Sequence, residues 1–132
     1  MIFRGATSVE SRRVTVPVVP IYLVIRDAAL RSSLTAWLGL TGHSVVAVQD
    51  IVSLQSSRPA ATGLFVIESD LLPPAREDWV AALEPIVPSS RCVVLVSGES
   101  NMSGPLILAD RRSALPIIQL AIARIEDDQL DG

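Results

Sequence analysis

A chain of 132 residues is long enough for one full hydrophobic core and too short for two ordinary domains. Apolar residues make up 49% and charged residues 19%, the balance of a globular chain, and so few residues are aromatic that its core must be aliphatic. The net charge of −3, arginines that occur singly or in pairs without interleaved aromatics, and a single cysteine argue against nucleic-acid binding by this segment alone and exclude an internal disulfide and a thiolate metal cluster.

Residues 1–19 lack periodicity and contain Pro17, so they read as a flexible N-terminal leader. IYLVI at 21–25 is an apolar run of strand length. Asp27 can then cap a helix in which Leu30, Leu34, Trp37 and Leu38 form one apolar stripe, ending at Gly39, Gly42 and His43. SVVAV at 44–48 is the second strand, Asp50 caps a short helix over 51–56, and LFVI at 64–67 is the third strand. After Pro73-Pro74 a helix from about 76 to 86 would place Trp79, Val80, Leu83 and Ile86 on one side. CVVLVS at 92–97 is the fourth strand, with Cys92 as a small buried hydrophobe, and LILA at 106–109 the fifth. Between them GESNMSG, small and polar, leaves room only for a shortened or irregular fourth helix. Ser113 can cap the last helix, with Ile118, Ile122 and Ile125 inward, and 127–132 reads as a tail or linker stub.

Short apolar runs without alternation, separated by amphipathic helices, describe an α/β domain over 20–126: a doubly wound five-stranded parallel sheet in the order 2-1-3-4-5 with helices on both faces. Its functional end is the edge formed by the strand C-termini, which gathers Asp27, Glu68, Asp70 and Glu99. Several carboxylates around one cleft could hold Mg²⁺, while Asp27 as a helix cap and Asp70 as a turn residue are the simpler alternatives. Arg26 is the permanent cation of the opening turn. Its expected role is to pair with Glu68 or Asp70 in place of a metal, the alternatives being a solvated arginine and a substrate clamp.

Catalytic signals are sparse. Ser97 and Ser100 have no base at hand, because His43, the sole histidine, lies in the turn before the second strand. No GxGxxG or GxxxxGK[ST] occurs, and the turn IRDAA contains no glycine for close approach to a phosphate. No apolar run reaches the about 18 residues of a membrane span, so a cytoplasmic, non-enzymatic protein without cofactor is the expectation.

The stretches IYLVIRDAALRSSLTAWLGLTGHSVVAV, LFVIESDLLPP, RCVVLVSGES and PLILADRRSALPIIQLAI, in this order and spacing, resemble the receiver domain of bacterial response regulators over about 21–125. The resemblance implies a flavodoxin-like fold and a phospho-acceptor position at Glu68 or, with the match slid by two, Asp70. The paired acids that hold Mg²⁺ in receivers fall at Ile25 and Arg26, followed by Asp27. Ser97 occupies the place of the switch hydroxyl. The lysine after the fifth strand has no counterpart, since the chain contains no lysine, and the local candidates are Asp110 and Arg111.

These departures imply an atypical, degenerate receiver: a phosphorylation-independent signalling or transcription-regulatory module that works through a protein partner or a homodimer. The fourth helix, fifth strand and fifth helix would supply the surface, with Leu115, Ile117, Leu120 and Arg124 as interface residues, and an effector domain beyond Gly132 is one form its output would take. The alternatives are a conventional phospho-accepting receiver, which would bring Mg²⁺ with it, and a small enzyme on a flavodoxin-like scaffold, which would need a sizeable apolar pocket near the strand ends.

Overall fold

The computed structural model describes residues 19–60 and 62–131. Its strands are β1 (Ile21–Val24), β2 (Val45–Val48), β3 (Leu64–Glu68), β4 (Cys92–Val96) and β5 (Ile107–Asp110), all parallel, in the order β2-β1-β3-β4-β5. The helices are α1 (Ala28–Leu40), α2 (Ile51–Ser56), α3 (Trp79–Leu83) and α4 (Ala114–Asp131). This is the doubly wound order expected from the alternation of apolar runs and amphipathic segments. The register keeps the strand ends nearly flush: Val24 lies beside both Val48 and Ile67, Glu68 beside Leu95, and Val96 beside Asp110. The turns after β1, β3, β4 and β5 therefore meet at one edge of the sheet.

Two apolar layers hold the sheet between them. On one face Leu34 and Leu38 of α1 and Ile118, Ala121, Ile122 and Ile125 of α4 pack over Leu23, Val66 and Val93. On the other, Leu54 of α2 and Trp79 and Leu83 of α3 pack over Val24, Ile67 and Val94. The interior strands β1, β3 and β4 are buried throughout, which explains their unbroken apolar sequence. Edge strand β2 is only half-buried.

Helix boundaries follow local chemistry. The Asp27 carboxylate accepts from the Ala29 and Leu30 N–H groups at the start of α1, and the Asp50 carboxylate accepts from the Ser53 N–H at the start of α2. Gly42, at φ +90°, ends α1 in the left-handed region while its N–H and that of His43 close onto Gly39 and Leu38.

Several expectations are corrected. Trp37 is 56% exposed and so lies off the buried stripe, one residue short of Leu38 around the helix. The helix expected over 76–86 is divided into a 3₁₀ turn at Arg76–Asp78 and the short α3, and Pro85 lacks the N–H that continuation would need. No helix forms between β4 and β5. Instead Asn101 and Leu108 exchange both backbone hydrogen bonds in an antiparallel bridge, and the Ser100 hydroxyl accepts from the Asp110 N–H. Residues 127–131 continue α4. The leader expected over 1–19 lies outside the described residues except for Val19, which is buried in the core.

Two predictions follow from the packing. A Cβ on Gly63 would stand 2.5 Å from the Tyr22 ring and 2.8 Å from the Pro20 carbonyl oxygen, and that ring is held by stacking on Phe65 and by the bond its hydroxyl accepts from the Ala60 N–H. Gly63→Ala is expected to cost about 1–3 kcal/mol, read as a lower urea midpoint at unchanged slope. Burial pushes the Cys92 thiol up to about 12, so it stays protonated in the fold where the unfolded thiol ionises. Iodoacetamide at mildly alkaline pH should leave the native thiol unmodified, and stability should decline as pH rises above the thiol's ordinary value of 9.0.

Candidate functional site

Glu68, the last residue of β3, is the one buried charged side chain among the described residues and is 1% exposed. An isolated carboxylate there would cost several kcal/mol, so the surroundings must neutralise it. They do so from two directions. Oε1 accepts from the Arg26 N–H at 2.7 Å and the Asp27 N–H at 3.3 Å, both in the turn between β1 and α1. Oε2 accepts from Arg111 Nη1 at 2.8 Å.

Arg111 opens a 3₁₀ turn, Arg111–Ser113, directly after β5. The Asp110 carboxylate accepts from the Arg112 N–H and fixes this turn. The Arg111 side chain is 23% exposed, and its other terminal nitrogen lies 3.8 Å from Asp70, whose side chain is 60% exposed. That outer contact contributes little in comparison with the buried one. Arg111 Nε is buried without a hydrogen-bond partner among the described residues, which subtracts from the net worth of the pair.

The cation that meets Glu68 is thus Arg111, and the expected side-chain pairing of Arg26 does not form. Arg26 contributes its backbone N–H while its side chain turns outward into solvent. Its charge is the smallest of the influences that hold the Asp50 carboxyl below its ordinary value of 3.8; the backbone and then the side-chain hydrogen bond of Ser53 are the larger ones, and burial opposes them. Arg31 is a further residue that sequence reasoning missed. From the first turn of α1 its guanidinium donates to the Ile25 carbonyl at 2.8 Å and, at 3.4 Å, to that of Arg26, pinning the turn that presents the two N–H groups to Glu68. Its position one helical turn after the capping Asp27 was the only available signal.

Of the remaining candidates, Ile25 is fully buried in the apolar core and Ser97 is exposed at the end of β4. Asp27 is the cap of α1 and Asp70 lies in the 3₁₀ turn Ser69–Leu71. The donor set does not suit Mg²⁺: the Ile25 side chain offers no oxygen and its carbonyl accepts from Arg31, one Asp27 oxygen is committed to capping, and both Glu68 oxygens are engaged. Among the described residues no group of three or more His, Cys, Asp or Glu side chains is placed to hold a metal ion. Leu115 and Ile117 pack partly against the core, leaving Leu120, 55% exposed, and Arg124 as the outward members of the expected interface set.

Removing one member of the buried pair strands the other. Arg111→Ala should lose about 3 kcal/mol of unfolding free energy, whereas Arg26→Ala should stay within about 0.5 kcal/mol, since only its backbone reaches the site. Glu68→Leu combined with Arg111→Met should recover most of the loss, and a double-mutant cycle from urea melts measures the coupling.

No protein-family model and no curated protein matches the sequence. Among solved structures, a response regulator receiver domain protein from Bacillus halodurans matches with a TM-score of 0.59 at 15% identity, over 83% of this chain and 97% of that one. Among the described residues no helix is long and apolar enough to cross a membrane. With its strand order and two helical layers, the chain has the fold of a response regulator receiver domain.

Proposed function

We propose that the chain is an atypical receiver-like module that acts in signalling or transcription regulation through protein contacts and without phosphorylation. One observation carries this reading: both oxygens of Glu68, the residue at the phospho-acceptor position implied by the resemblance, are already bound by the protein itself. To attack a phosphoryl donor Glu68 would have to leave a guanidinium and two N–H groups in a buried site, and its lone pairs are directed at those donors. Arg111 takes the place after the fifth strand where receivers carry lysine, with its charge spent on the pair. The fixed cation supplies what a metal or a phosphoryl switch would otherwise modulate, so this edge of the sheet is built as one state.

The conventional alternative rests on Asp70, which is exposed and touched by Arg111 only at 3.8 Å. It lies beyond the strand end in a 3₁₀ turn, and Asp27 is occupied with its cap. The enzymatic alternative needs a pocket at the strand C-termini. One apolar cleft among the described residues, beside α3 and β5, is lined by none of Glu68, Asp70 or Ser97.

Output then depends on a surface. The expected face lacks the helix between β4 and β5, because that connection runs as a clasp along β5, and it retains β5 and α4 with Leu120 and Arg124 outward. Treatment with acetyl phosphate and Mg²⁺ followed by intact-mass measurement tests the reading. The expected result is an unchanged mass; a stable adduct of one phosphoryl group mapped to Asp70 or Glu68 would establish the conventional receiver instead.

A further inference from the structure

Right-handed crossovers place α2, α3 and the β4–β5 connection on the same face of the sheet. Residues 97–106 provide no helix for this face, where Trp79, Leu106 and Leu108 are nevertheless each 9% exposed or less. They leave the sheet at Gly98, which adopts φ +86°, and follow the outer edge of β5 through the Asn101–Leu108 bridge. A cleft of about 440 Å³ opens between this clasp and α3, within the size range of built binding sites. Its walls are chiefly Trp79, Val80, Pro105, Leu106 and Leu108, with Arg76, Glu77 and Asn101 at the rim.

The cleft is held in shape. The Trp79 indole N–H donates to the Pro73 carbonyl at 2.7 Å, and the Arg76 guanidinium lies 5.2 Å above the indole ring. Arg76 also pairs with Glu99 at 3.0 Å, bridging the start of α3 to the clasp. Since Glu99 neutralises Arg76, the charge left over at the rim is that of Glu77, which forms no ion pair among the described residues. A strand cannot be the occupant here, because the outward N–H groups of Leu108 and Asp110 are already bonded to Asn101 and Ser100.

We propose that this cleft is a docking site for an amphipathic helix of a partner protein, which inserts apolar side chains at i, i+3 and i+4 spacing against Trp79, Val80 and Leu106 and sets a lysine or arginine opposite Glu77. The proposal rests on the reading of the domain as an interaction module and names the surface and the partner chemistry. It stands apart from the Glu68 pocket, so a phosphoryl adduct would overturn the earlier reading while leaving peptide binding measurable, and a failure to bind would leave the mass result intact.

The experiment uses the full chain carrying Trp37→Phe, so that Trp79 is the single indole reporter, and a synthetic leucine–lysine peptide with leucines at helical spacing, beside a scrambled peptide of equal composition. Heteronuclear NMR should show saturable shifts of the Trp79 indole and of the Asn101, Gly104 and Leu106 amides with the helical peptide. Glu77→Lys, an exposed change that leaves the core untouched, should weaken binding about fivefold or more at low salt. Val80→Glu, verified as folded by its melting curve, should abolish it. No saturable shift, equal binding of the scrambled peptide, equal affinity of the Glu77→Lys variant, or saturation by free indole with no response to the peptide would each overturn the proposal.

Discussion

The carboxylate of Glu68 is the constraint around which the sheet edge is arranged. It ends a central strand with no water to solvate it, and a charge so placed must find partners or shift the structure. Its partners come from parts of the chain far apart in sequence: the turn after β1 gives two N–H groups and the turn after β5 gives a guanidinium. One side chain thereby ties three strand ends together. Each tie has its own support, the first turn through Arg31 on the Ile25 carbonyl and the second through Asp110 capping the 3₁₀ turn. Replacing the pair with apolar residues of similar volume need not weaken the domain, which is why its presence speaks for a defined geometry more than for stability.

Much of this architecture can be read from the chain itself. Parallel strands buried on both faces must be apolar without alternation, and the runs at 21–25, 64–67 and 92–96 have no other economical explanation. Asp27 and Asp50 announce their helices through the N-cap requirement. The identity of the cation at Glu68 is harder to read. Arg26 and Arg111 both follow a strand at the same edge, and nothing in their neighbours tells which guanidinium turns inward. That is decided by the conformation of each turn: the bend at Arg26 aims its N–H at Glu68 and its side chain at solvent, whereas the 3₁₀ turn folds Arg111 back over the sheet.

Other features depend on tertiary geometry that periodicity cannot carry. Trp37 and Leu38 are adjacent, and an apolar stripe drawn through both puts one of them on the wrong side of the buried arc. GESNMSG disfavours a regular helix by composition, and the order 2-1-3-4-5 puts β5 at an edge, but no pattern in the sequence says that Asn101 turns back to pair with it. The shortening of α3 belongs with these, since the prolines are visible and the compensating role of Trp79 is not. With its indole anchored on Pro73, Trp79 covers the β4–β5 face that a fuller set of helices would share.

The clasp along β5 also makes the two margins of the sheet unequal. Leu108 and Asp110 have their outward N–H groups taken by the chain's own loop, whereas β2 ends the sheet on the opposite side with Val46 and Ala47 exposed. A sheet with two available margins can add copies without limit, which is the geometry of fibres. With one margin sealed, any pairing of copies through β2 closes upon itself as a two-fold pair and stops there.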